Sequence, residues 1–162
     1  MRISLFILLT VILGCSSLSD EELWKRIELA KARQNWDSTR QVAQRILTEY
    51  PSGRYSSWAQ FALAESFRFQ NRPREALDNY KIFIERYPEM QPSALSLFLV
   101  GYIYGNNLHM YDSAKYHYEH FLQKYPDHEL APSVKMELET MGKSPQQVLE
   151  SATERDRSLT KK

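Results

Sequence analysis

Phe83-Ile84-Glu85-Arg86-Tyr87-Pro88 decides the fold, because the chain writes it three times. Ile46-Leu47-Thr48-Glu49-Tyr50-Pro51 precedes it and Phe121-Leu122-Gln123-Lys124-Tyr125-Pro126 follows, with the prolines 37 and 38 residues apart. A period of that length marks supersecondary units that stack to bury a shared core. Twelve residues before each proline stand Thr39, Ala76 and Ala114, and eight before stand Ala43, Tyr80 and Tyr118. Further upstream come Ala64 with Phe67, and Gly101 with Tyr104. Ala76, Tyr80 and Phe83 recur at intervals of four and three, which is one apolar stripe along a helix. Each Tyr-Pro closes its helix, since proline disfavours helical geometry in the residue before it.

The spacing predicts helices over 20–33, 36–49, 54–70, 73–86, 91–107 and 111–124. Asn35-Trp36-Asp37 and Asn71-Arg72-Pro73 read as turns inside hairpins, with Pro73 suited to a first helical position. The third hairpin has one extra residue within Gly105-Asn106-Asn107-Leu108-His109-Met110-Tyr111-Asp112, which predicts a wider turn. A seventh helix runs from about 130 to 141, with Pro132 near its start and Gly142 at its end. Ser144-Pro145-Gln146-Gln147 reads as a capping box opening a short last helix, with a polar chain that frays after Glu150; helix and tail together span 143–162. No run shows the period-two alternation of a strand.

A small residue and an aromatic on the first helix, an alanine and an aromatic on the second, and a closing proline resemble the tetratricopeptide repeat (TPR). The resemblance spans 21–142 and implies an all-α fold: a right-handed α-solenoid of three TPR-like helical hairpins plus a C-terminal capping helix. The first repeat departs most, with Ile27, Thr39 and Ala43 where the pattern prefers a small residue, alanine and an aromatic. Phe83 and Phe121 replace the usual small residue late in the second helix. Their Phe-(Ile/Leu)-x-x-Tyr-Pro endings resemble TPR lipoproteins of bacterial envelopes, the BamD (β-barrel assembly) and CpoB (cell-division coordinator) types.

The N-terminus reads as an address. Ile3 to Leu13 are apolar apart from Ser4 and Thr10, behind a single positive Arg2. Eleven helical residues rise about 16 Å, roughly half the hydrocarbon thickness, so the run is too short to span a bilayer. It has instead the pattern of a signal peptide, over 1–14. Ile12-Leu13-Gly14-Cys15 resembles the bacterial lipobox, in which the cysteine is lipidated, with palmitate among its acyl chains, and becomes the new N-terminus. The residues alone also allow an ordinary secretory signal cut after Gly14, leaving Cys15 a free thiol. Residues 15–20 form a short tether that holds the folded part close to the membrane. Ser16 after the cysteine implies, by the family's sorting rule, the cell outer membrane, facing the periplasm.

Arg2 is the only charged side chain before Asp20, so a chain starting at Cys15 carries 20 basic and 20 acidic residues. That balance argues against a nucleic-acid partner, which requires a basic excess to neutralise phosphate. One cysteine excludes an internal disulfide framework and a cysteine-rich zinc site. His117 and His120, three apart on one helix face with His109 and His128 nearby, are the one metal-like constellation; a metal- or ligand-binding lipoprotein is the alternative reading they support. Registration places both beside buried Tyr118 and Phe121, so solvated surface histidines are the preferred reading. The acidic Glu137-Leu138-Glu139 is likewise read as a solvated face. No phosphate loop, HExxH or GxSxG occurs, so no catalytic residue, cofactor or enzyme activity is read from the sequence.

The TPR resemblance implies a concave surface lined by the first helix of each hairpin. Registration assigns it Trp24 and Glu28, then Trp58, Phe61, Glu65 and Arg68, then Leu95, Phe98 and Tyr102. Phe61 and Phe98 stand where carboxylate-clamping repeats carry lysine, and Glu65 and Tyr102 where they carry asparagine. A terminal-carboxylate ligand is therefore not implied. An aromatic trough suits an apolar peptide segment of an envelope protein, because rings bury large areas at small rotamer cost. Phe61 and Phe98 fit groove and core equally well, whereas Trp58 and Tyr102 read as groove. A second copy of this chain, giving a homodimer, is the other occupant weighed.

Overall fold

The computed structural model describes residues 18–159, with side chains placed through Glu154; the signal segment and Cys15 lie outside the described residues. The described residues are helical throughout: α1 (Asp20–Ala32), α2 (Trp36–Glu49), α3 (Ser56–Phe69), α4 (Pro73–Arg86), α5 (Pro92–Tyr102), α6 (Tyr111–Lys124), α7 (Ala131–Thr140) and α8 (Pro145–Leu159). Each helix from α1 to α7 packs on its chain neighbours, as in a TPR-like helical repeat solenoid.

Local chemistry sets the helix ends. Ser19 and Glu22 form a reciprocal capping box on α1, with Asp20, Glu21 and Glu22 in its positive first turn. The Asn35 side chain caps α2 by accepting from the Ser38 amide at 3.0 Å. Each hairpin turns through one left-handed residue, Gln34, Asn71 or His109, at φ of 53°, 55° and 54°. In the first two the next amide reaches back five residues, Asn35 to Ala30 and Arg72 to Phe67, closing the helix end. Between repeats, Tyr50, Tyr87 and Tyr125 leave the helical region together, at φ/ψ near −134/58, −133/52 and −131/57. The hydroxyls of Ser56 and Ser93 then donate to the Tyr50 and Tyr87 carbonyls, each at 2.6 Å. These two buried serines lock successive repeats at one angle.

The third hairpin departs from expectation. Its turn is no wider than the others; the extra residue sits inside the helix, as a π-helical turn over Ile103–Asn107 that continues α5. The Leu108 amide reaches Ile103 across five residues. Widening the turn would have moved Tyr111 and the start of α6 out of register, whereas a π-turn takes up one residue and leaves the left-handed corner unchanged. The C-terminal segment also differs. α8 runs to Leu159 rather than ending as a short helix with a frayed tail, because Glu150 to Arg157 hold several strong helix formers and no glycine or proline. It contributes little to the packed array, and Leu149 is 68% exposed.

Packing inside the hairpins pairs small with large. Ala64 and Tyr80 are both fully buried in the second, as are Gly101 and Tyr118 in the third. The first hairpin reverses the sizes, with Ile27 on α1 and Ala43 on α2, both at 0% exposure. A volume-conserving exchange of this sort keeps a core filled. Gly101 is the tightest case: a Cβ there would lie 2.6 and 2.7 Å from Tyr118 ring carbons. We expect Gly101→Ala to lower stability by about 1–3 kcal/mol through overpacking. With Tyr118→Ala added, urea unfolding should show a smaller cost than the sum of the two single changes. Additive losses would contradict the contact.

Candidate functional site

A cleft of about 240 Å³ opens where the first turns of α3 and α5 meet the loop between α6 and α7. Trp58 and Phe61 come from α3, Pro92 and Leu95 from α5, and His128, Glu129 and Leu130 from the loop, with Gln91 at the rim. The repeat register explains the convergence: Trp58 and Leu95 stand seven residues after their Tyr-Pro prolines, and Pro92 and Leu130 stand four after theirs. Tyr55 holds that same fourth place in the preceding repeat. It stacks on Trp24 with centroids 5.6 Å apart, and Trp24 lies 6.4 Å from Trp58. An aromatic line therefore runs from α1 into the cleft.

Phe61 and Phe98 turn out to be both floor and core. Phe61 rests on the buried rings of Tyr80 and Phe83 at 5.9 and 5.5 Å, and Phe98 rests on Tyr118 at 6.0 Å, while each remains half-buried. Leu95 and Tyr102 are 37% and 39% exposed, and Tyr102 lies against Phe98 at 6.2 Å. Met136 on α7 holds the equivalent place, ten residues after Pro126 as Phe61 and Phe98 are after their prolines, and is 65% exposed. Registration would have found Met136, and also Tyr55 and Leu130, had it been carried past the first helices into the loops and α7.

Two of the expected groove residues are engaged in holding helices together. Glu65 accepts from Lys31 at 2.5 Å, an ion pair joining α3 to α1. The Arg68 guanidinium lies over the Phe69 ring at 4.1 Å, and its Nε donates to the Tyr80 hydroxyl at 3.3 Å. Glu28 is exposed on α1, away from the cleft lining. Registration brought nine candidates to one surface; the fold gathers Trp58, Phe61 and Leu95 in the cleft, with Trp24 adjoining and Phe98 and Tyr102 farther along α5.

The histidines and acids need correction. Of the pair His117 and His120, only His120 is exposed; His117 is half-buried, its ring stacked on Tyr104 at 5.3 Å and edged by Tyr116 at 5.1 Å. Tyr104 in turn accepts from Lys81 at 2.7 Å. The His117 Nδ1 is buried and, among the described residues, has no hydrogen-bond partner. Among the described residues, no three His, Cys, Asp or Glu side chains gather as a metal site. Glu137 is not a solvated acid either: its Oε2 accepts from Asn106 at 3.2 Å and from the Tyr118 hydroxyl at 3.4 Å. The π-turn that carries Asn106 is what brings this amide to α7.

Burial, with the Lys81 and His120 charges adding to it, holds the His117 pKa down at about 4. An unfolded chain restores the ordinary value near 6.5. The fold thus prefers the neutral ring, so this contribution is complete above about pH 6.5 and is lost as pH falls towards 4. His117→Phe keeps an aromatic ring on Tyr104 without the proton. Urea unfolding at pH 7 and pH 5 should show a smaller pH-dependent loss in this variant than in wild type; equal losses would assign the acid sensitivity elsewhere.

No helix among the described residues is long and apolar enough to cross a membrane. No curated protein matches the chain. Residues 58–89 and 95–128 each match the family described as tetratricopeptide repeat. These are the α3–α4 and α5–α6 hairpins; the first hairpin, whose small and large positions are exchanged, lies outside the matched stretches. Two stretches of an all-helical array are thus similar to the tetratricopeptide repeat.

Proposed function

We propose that this chain is a lipid-anchored scaffold of the bacterial cell envelope that holds an apolar segment of another envelope protein. The observation that carries the reading is the cleft where Trp58, Phe61, Leu95 and Leu130 converge from three separate segments. Tetratricopeptide repeats serve in general as protein-interaction modules, and half-exposed rings on a rigid helical floor supply the anchoring pockets such contacts use. Anchoring rests on the lipobox-like Ile12-Leu13-Gly14-Cys15 and on the short tether behind it. Ser16 after the cysteine supports, by the family's sorting rule, the outer membrane facing the periplasm, and the resemblance of the Tyr-Pro endings supports outer-membrane protein assembly or envelope and division coordination.

A photo-crosslinking residue at Gln91 on the cleft rim, introduced into the full-length protein in its own envelope, tests the binding surface. We expect a discrete adduct whose yield falls at least about tenfold when Leu95→Glu is added, a loss of about 1.4 kcal/mol or more in binding. Gln123→Glu, on exposed α6, should leave the yield unchanged. An adduct with a second copy of this chain would identify the occupant as the homodimer. Equal yields in the Leu95→Glu protein, with its unfolding curve intact, would end the cleft reading.

A further inference from the structure

We infer that the edge of the array formed by the inter-repeat Tyr-Pro loops is a lipid-facing surface, and that it presents Trp24, Tyr55 and Trp58 to the bilayer interface. The inference rests on lipidation of Cys15 and adds to it an orientation.

The argument begins where the fixed chain begins. Leu18 packs against the core, and its carbonyl accepts from the Tyr50 hydroxyl at 2.7 Å. Asp20 lies against Gly53, so closely that a Cβ there would be 2.9 Å from the carboxylate. The chain therefore enters the fold at the first Tyr-Pro loop, and only Ser16 and Ser17 separate Leu18 from Cys15. Three Cα–Cα steps reach about 11 Å at full extension. The two edges of the array are one helix apart, and helices of 14 residues are about 21 Å long. A tether half that length keeps the entry edge within reach of the membrane, whereas the hairpin-turn edge, a full helix farther from the anchor, is not held there.

What that edge offers suits an interface. Tyr55 and Trp58 stand at the start of α3, Trp24 is one turn into α1, and all three are half-buried, with their rings in one group. Trp and Tyr rings favour the headgroup boundary, where an apolar body and a polar atom are both accommodated. The exposed charges on these loops are mixed, with Arg54 against Glu89, Asp127 and Glu129. Attraction to anionic lipid therefore contributes nothing to the proposal; the tether and the rings carry it.

The third tryptophan supplies an internal control. Trp36 opens α2 at the opposite edge, stacked on Phe69 at 4.1 Å. The test uses full-length protein processed in a bacterial host, purified in detergent and reconstituted into phosphatidylcholine vesicles. Single-tryptophan versions are made with Trp→Phe changes at the other two positions and checked for unchanged helicity. Nitroxide-headgroup lipid should quench Trp24 and Trp58 at least about threefold more strongly than Trp36. Quenching of Trp36 equal to the other two, in protein whose intact mass shows acyl chains on Cys15, would overturn the orientation while leaving the anchor in place. An unmodified Cys15 in that mass spectrum would remove the anchor and the orientation together.

Discussion

The meeting of one small and one large side chain inside each hairpin is the constraint on which the rest depends. Gly101 lets the Tyr118 ring lie where a Cβ would stand, and Ala64 faces Tyr80 in the same register. A repeat array buries its core only against neighbouring units, so the closeness of the two helices in a hairpin sets the surface offered to the next. The phenol oxygens reinforce the geometry. Tyr80 accepts from Arg68 and Tyr118 donates to Glu137, so each buried ring has a polar end with a partner. Burial pushes both phenols well above their ordinary pKa. They remain neutral hydrogen-bonding groups throughout the physiological range.

The array also needs ends and joints. At the N-terminal end, the Ser19–Glu22 capping box and the Tyr50 bond to Leu18 fix the first helix from its first residue. At the other end, α7 carries Lys135 and Glu139 at the places held by Leu97 and Gly101 on α5, and both are exposed. Those places on α5 face α6, whereas on α7 they hold charged side chains. Between repeats, the Tyr50 and Tyr87 carbonyls, which lose any helical partner as the helix ends, accept from the Gly53 and Met90 amides and from the Ser56 and Ser93 hydroxyls. Because the joints repeat, residues at equal distances from each proline fall in a line, and the cleft is one consequence of that regularity.

The π-turn shows how an irregularity is absorbed and then used. One inserted residue is taken up within the helix and spares the corner at His109, because the left-handed corner and the buried Ala114 below it leave no room for change. The displaced backbone carries Tyr104 over His117 and Asn106 towards Glu137. Two polar groups that looked like surface features in the sequence thereby become parts of the packing.

The primary structure by itself determined the helices, the hairpin register and the buried stripe, since these follow from spacing: period 3.6 within a helix, 37 or 38 between units, and proline at each break. It also singled out Trp58, Phe61 and Leu95, because a first-helix register can be counted without coordinates. What only the tertiary structure decided was which side chains at equivalent places are free. Glu65 is taken up by Lys31, Arg68 by Phe69 and Tyr80, and Leu130 arrives from a loop. Such pairings join residues up to 34 or more positions apart in sequence, and their distances depend on how two helices lie against each other, which no count along one chain contains.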